Sequence, residues 1–297
     1  MKLRKTIIGA VVSIGAILMT GVVAVPALAQ DEAAFDPGRY RIDIASRQRM
    51  LSQRIAKSIC FIELGQSVEM YHDYLEADYQ LFDSTLHVLR DGGGDKNLEA
   101  EADRRTLTKI EEIFEHWEPF AANIEGVIAT NEISFETSEH IREENLVMLS
   151  DMNELVTLIE QEYANAYSLD LQSAMTINIF ARQRMLSQML AKDFCYAVSG
   201  HHVEEQIALL EETHVLFQNS LDAIRNGLPA MGIAPPPTEE IKAQLDIVAD
   251  IWVDLDTIYT NVINGGTPTA EEIAFVSSES LHLLEEMNTA VQMYISK

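Results

Sequence analysis

Helix breakers are scarce in this chain. Fourteen glycines and eight prolines in 297 residues sit in a few clusters, so long stretches contain nothing that would interrupt a helix. Alternating runs of β-branched residues, the mark of strands, are missing too. An all-α chain follows. Basic residues are also few, with 21 Lys and Arg against 47 Asp and Glu, and a net charge of −26 excludes nucleic acid as a natural partner. Long-range steering of a small anion is unfavourable on such a surface, so an anion site has to be a local concentration of positive charge. Catalytic signatures are absent: there is no nucleophile elbow, phosphate loop, zinc-protease motif or nucleotide fingerprint, and no enzyme is expected. The eight histidines show no repeated ligand spacing, so neither a metal nor a cofactor is expected.

There is a single long apolar run. Lys2, Arg4 and Lys5 precede Thr6 to Val25, and Pro26-Ala-Leu-Ala29 follows. This reads as an export signal over 1–29 cut after Ala29, or, because about 20 apolar residues can span a bilayer, as a retained N-terminal anchor. Either outcome places the remainder in the periplasm. Losing those three positive charges takes the −26 of the whole chain to −29.

Arg47-Gln-Arg-Met-Leu-Ser-Gln53 recurs as Arg182-Gln-Arg-Met-Leu-Ser-Gln188, an offset of 135 residues. The same offset pairs Cys60 with Cys195, Gly65 with Gly200, Phe82 with Phe217, Gly92 with Gly227, Trp117 with Trp252 and Met152 with Met287, without a gap. One register held over so much chain is the signature of a duplicated structural unit. Apolar spacing and breaks predict four helices in the first copy, at 37–65, 67–91, 97–130 and from 133 onward. Thr238, and Thr269 with Glu272 three residues on, read as N-caps in the second copy. The expected architecture is two tandem four-helix bundles, 37–165 and 170–297. Because neither glycine nor proline occurs between Gly126 and Gly200, the spacing predicts one continuous helix from about 134 to 199, joining the bundles end to end; a hinge near Ser168 to Ser173 would instead fold them side by side.

On a helical wheel, Leu51, Ile55, Ile59 and Ile62 form the core stripe of the first helix. A second stripe holds Ile42, Ala45, Arg49, Ser52, Gln53, Ala56 and Cys60, small residues that let another helix approach closely, with an arginine among them. In copy two it reads Ile177, Phe180, Arg184, Ser187, Gln188, Ala191 and Cys195. Of 18 basic residues after the leader, Arg47, Arg49, Arg54, Lys57, Arg182, Arg184 and Lys192 fall in two short windows. Arginine's planar fork of donors suits planar oxyanions; structural pairing with neighbouring carboxylates is the plainer alternative. Cys60 and Cys195 are either buried free thiols or a symmetric pair able to form a disulfide across a dimer. Trp117 and Trp252 read as core.

Ile44 to Lys57 and Ile177 to Lys192, built around the Arg-Gln-Arg-Met-Leu-Ser-Gln string, resemble the first-helix motif of the PilJ and NarX-like sensor domain family. That family comprises extracytoplasmic input domains of type IV pilus chemotaxis transducers and of nitrate/nitrite sensor kinases. The resemblance implies four-helix bundles, a homodimer, and an anion held between first helices by an arginine from each; Arg49 and Arg184 are the matching positions. Arg47, Arg182, Ser52, Gln53, Ser187 and Gln188 complete the candidate ligand-binding set. Gln48, and Leu51 with Ser52 after Met50, follow the pilus-transducer version of the motif more closely than the nitrate-sensor version. The expected function is therefore a periplasmic sensor module for a small oxyanion such as nitrate or nitrite. No output region follows the second copy, so the expected output partner is a membrane signalling protein. The competing reading is a structural adaptor of the envelope or of a pilus-associated system that has lost the ligand; it gains if Arg49 and Arg184 are saturated by carboxylates of their own bundles.

Overall fold

A computed structural model describes residues 37–163 and 171–295. The described residues are α-helical throughout, apart from turns and one short 3-10 segment. Copy one consists of α1 (Pro37–Glu63), α2 (Val68–Asp91), α3 (Arg104–Thr130) and α4 (Phe135–Tyr163). Copy two consists of α5 (Leu171–Ser199), α6 (Val203–Asn226), α7 (Glu239–Ile263) and α8 (Ala270–Ile295). In each copy every helix packs on its sequence neighbour and the fourth closes back on the first. These are two four-helix bundles, as the period of apolar residues requires.

The duplication extends to the turns. Gly65 and Gly200, then Ser67 and His202, take left-handed backbone at equivalent places. Isolated bridges Gly93–Leu98 and Leu228–Ile233 also superpose under the 135-residue offset. Gly92 and Gly227 start those connections with φ of +78° and +75°, and a Cβ there would meet Leu98 O at 2.5 Å or Pro235 N at 2.8 Å. Both the dihedral and the space demand glycine. Gly92→Ala and Gly227→Ala are each expected to cost about 1–3 kcal/mol, from backbone strain and the forced displacement of a neighbouring strand of chain. Urea denaturation checks this, and an unchanged midpoint for either variant would contradict it.

Helix starts follow local chemistry. Asp103 accepts hydrogen bonds from Arg105 N and Thr106 N at 3.1 and 3.0 Å. This cap starts α3 at 104 rather than at the expected 97, because residues 93–98 are spent on the turn and its bridge. Thr238 caps α7 through Ile241 N. Thr269 and Glu272 exchange reciprocal bonds, Thr269 N to Glu272 Oε2 at 2.7 Å and Glu272 N to Thr269 Oγ1 at 3.2 Å, a full capping box.

The bundles lie side by side, in contact through α1 and α5. Those two helices run parallel: Asp43 meets Arg184, Lys57 meets Gln188, and Cys60 meets Cys195. By contrast α4 runs antiparallel to both. Its first turns meet the end of α5, with Glu139 2.7 Å from His201, its middle meets Ser52 and Lys192 through Asn145, and its end is near Arg49 through Glu160. The chain therefore reverses between Tyr163 and Leu171, and the expected continuous helix does not form. Of the hinge expected near Ser168 to Ser173, residues 168–170 lie outside the described residues and 171–173 belong to the first turn of α5; the leader expected over 1–29 also lies outside them. Absence of glycine and proline permits a long helix without requiring one. End-to-end stacking would leave both small-residue stripes facing water, whereas side-by-side packing buries each against the other.

Consequently α1 and α5 are buried on nearly every side. Ala45, Ser52, Gln53, Ala56 and Cys60 have no accessible surface, nor do Ser187, Gln188, Ala191 and Cys195. Phe180, the bulky departure in copy two, stacks on Tyr294 of α8 with ring centroids 4.7 Å apart. Each core leucine or isoleucine so enclosed contributes about 1.5–3 kcal/mol. No helix among the described residues is long and apolar enough to cross a membrane.

Candidate functional site

The repeated heptapeptide does the same local work in both copies. Gln48 Nε2 donates to Phe82 O at 2.8 Å and Gln183 Nε2 to Phe217 O at 3.2 Å, fixing each first helix to its second. Ser52 Oγ donates back to Arg49 O, as Ser187 Oγ does to Arg184 O. Gln53 and Gln188 each donate to the adjacent serine. Of the expected ligand-binding set, Ser52, Gln53, Ser187 and Gln188 are thus engaged within the helix pair. Gln188 also accepts from Lys57 Nζ at 2.6 Å and donates to Ser280 O.

The arginines divide differently. Arg182 is exposed, and Arg47 is ion-paired to Asp43 at 2.9 Å within α1. Arg49 and Arg184, 6% and 3% exposed, are enclosed at the α1–α5 contact. Arg184 Nη2 has Asp43 Oδ1 at 3.4 Å, a carboxylate of the other copy. Arg49 has Nε and Nη2 buried with no hydrogen-bond partner. Burial pushes the Arg49 guanidinium down to about 10; Glu160 opposes this, while Arg182 and Arg184 add to it. Burial lowers Arg184 as well, against Asp43. Burial likewise raises Glu160, against the pull of Arg49. A fully enclosed guanidinium edge without an acceptor is costly and uncommon, because buried polar groups are nearly always paired. The Arg49 edge is unpaired and Arg184 shares the Asp43 carboxylate with Arg47, so positive charge is locally in excess at this contact.

Farther along the same contact, Cys60 and Cys195 are bonded to each other, with Cα atoms 6.1 Å apart. The sequence left open buried free thiols or a bridge across a dimer; the cysteines are bridged, but to each other within one chain. The stripe on which a second subunit was expected to pack is covered here by α5.

Several participants were not legible from the repeat. Asp43 and Glu160 have uncharged counterparts, Asn178 and Ile295, so comparing the copies hides them; the one available signal was Asp43 lying one turn before Arg47 on a helix. Lys57 is completely buried, bonded to Gln188 and over the Tyr71 ring, and burial holds its amine well below the ordinary value. Its neighbour Asp78 makes a 3.0 Å ion pair with Arg54, yet burial outweighs Arg54 and Lys57 and pushes its carboxyl up to about 6. Between about pH 4 and 6 the unfolded chain then loses this proton while the native state keeps it, so stability falls as pH rises, by about 3 kcal/mol in all. The stability difference between wild type and Asp78→Asn should decline over that interval and level off above it. Denaturation at pH 4, 5, 6 and 7 measures this, and a flat difference would contradict it.

One further group brings ligand-type atoms together: Glu139, Glu143 and His202 lie within 4.8 Å of one another. Arg142 already pairs with both glutamates, at 2.6 and 3.7 Å, so the group is an ion-pair cluster around a cation the chain supplies itself.

No curated protein matches the chain. The sequence profile of the PilJ family, described as the type IV pili methyl-accepting chemotaxis transducer N-terminal region, matches residues 40–140 and again 168–272. Both matches contain the arginine motif, and the two regions follow the duplication read from the 135-residue offset. The chain belongs to this family of chemotaxis transducer N-terminal sensor regions, carrying two tandem copies of its domain.

Proposed function

We propose that this chain is a periplasmic sensor module that binds one small oxyanion, of the nitrate or nitrite type, between Arg49 of α1 and Arg184 of α5. The observation that carries the reading is the buried Arg49 edge, whose Nε and Nη2 have no acceptor. The pairing that the family resemblance assigns to two subunits is made here by two copies in one chain, so the tandem chain acts as a single-chain counterpart of a dimer. Periplasmic placement is supported by the basic, apolar, small-residue order of the first 29 residues and by a disulfide, which persists in oxidising compartments. Output passes through a membrane signalling protein. The adaptor reading gains where both arginines are saturated by carboxylates of their own bundles; Glu160 acts on Arg49 without satisfying its Nε and Nη2, and the carboxylate on Arg184 comes from the other copy.

Calorimetric titration with sodium nitrate and sodium nitrite, with chloride as control, tests the proposal. Wild type is expected to bind and the Arg49→Ala, Arg184→Ala double variant to lose binding. No response from wild type, or an undiminished response from the double variant, would overturn it.

A further inference from the structure

The two arginines are not equally provided for, and the difference rests on one side chain. Asp43 of α1 divides its carboxylate: Oδ2 pairs with Arg47 of the same helix at 2.9 Å, and Oδ1 reaches across to Arg184 of α5 at 3.4 Å. A carboxylate is a planar, singly charged group with two oxygens on one edge, the same shape and charge that nitrate and nitrite present. On Arg49 the two unpartnered atoms are Nε and Nη2, whose N–H bonds lie parallel along one edge of the guanidinium. That edge accepts a planar pair of oxygens side-on.

Charge counting adds a second constraint. Arg49, Arg184 and Arg47, which shares the Asp43 carboxylate, bring three positive charges to the contact, Asp43 and Glu160 return two negative ones, and Arg182 is exposed and screened by water. A singly charged anion completes neutrality, while a doubly charged one overshoots it in a place where burial makes every unbalanced charge expensive.

We propose that Asp43 is a built-in competitor that sets both the affinity and the charge selectivity of the site: the incoming anion takes the Arg49 edge, displaces the Asp43 carboxylate from Arg184, and replaces a direct α1–α5 ion pair by a ligand-mediated one. This deepens the reading of Arg49 and Arg184 as the anion site and depends on it. Ligand occupancy is thereby coupled to the relative placement of the two first helices, because the ion pair it removes spans them. Copy two has Asn178 at the equivalent position, the same shape without the charge, so the competition acts on Arg184 alone. Replacing Asp43 by asparagine gives α1 the residue that α5 already carries there.

Titration of wild type, Asp43→Asn and Arg49→Gln with sodium nitrate and sodium sulfate tests this, with circular dichroism and thiol titration confirming that each variant is folded and bridged. Wild type is expected to bind nitrate and not sulfate. Asp43→Asn is expected to bind nitrate about three- to tenfold more tightly, as suits loss of one partly exposed charge competitor, and to acquire sulfate binding. Unchanged or weakened nitrate binding in Asp43→Asn, or sulfate binding to wild type as strong as nitrate, overturns the role of Asp43 while the anion site stands if Arg49→Gln loses binding. Undiminished binding in Arg49→Gln overturns the site and this inference together.

Discussion

Arg49→Met is expected to abolish anion binding and to raise the stability of the ligand-free protein at the same time. The two effects share a cause. The Arg49 guanidinium is 6% exposed, has two buried nitrogens without acceptors, and is pushed by burial to about 10. Enclosing a cation in that condition costs several kcal/mol, of which an unbranched apolar side chain of similar length recovers roughly 1–3 kcal/mol. In the proposed anion complex the same nitrogens would make two charge-assisted hydrogen bonds of about 1.5–3 kcal/mol each. Their loss corresponds to a fall in affinity of at least roughly a hundredfold. Unfolding in the absence and presence of nitrate checks both signs: the variant should unfold later than wild type without ligand and show no shift when nitrate is added. A variant that is less stable than wild type and still responds to nitrate would contradict the assignment. A residue kept at a cost to stability is a residue kept for another purpose.

Loss of the Cys60–Cys195 bridge should have the largest effect on stability. It closes a loop across 135 residues of sequence and pins α1 to α5. In the chain-entropy account a closed loop of that length stabilises by about 4–5 kcal/mol. The Cys60→Ser, Cys195→Ser double variant is expected to lose about 3–5 kcal/mol, a drop of roughly 8–15 °C in Tm for a chain of this size. Helix content should survive at low temperature, because each bundle retains its own core. On non-reducing gels the wild type should run as a monomer with no free thiol, and a covalent dimer would contradict an intrachain bridge.

What could be read from sequence and what could not divide along physical lines. The eight α-helices of the described residues followed from the spacing of apolar residues and from clustered breakers, and the capping box at Thr269 and Glu272 marked a helix start to the residue. The stripe carrying Arg49 and Arg184 was legible because small residues at helical spacing have one use, the close approach of another helix. Which helix would approach was not legible. A stripe on α1 is equally satisfied by a second subunit or by α5, and the choice depends on whether the chain turns back after Tyr163, where no glycine or proline announces a reversal. The site itself was half legible. Arg49 and Arg184 lie where the repeat places them, each facing the other copy, but Ser52, Gln53, Ser187 and Gln188 spend their hydrogen bonds on the helix, on Lys57 and on Ser280. Asp43 and Glu160 escaped because duplication draws attention to what is repeated, and the charges that break the symmetry of the site are those present once.

Binding stoichiometry measured together with molar mass in solution tests the central claim most directly: α1 and α5 of one chain form one complete anion site. Light scattering combined with calorimetric titration by nitrate should give a monomer that takes up one anion per chain. One anion per two chains, with a mass that doubles, would show that the site is built between molecules and would contradict the account.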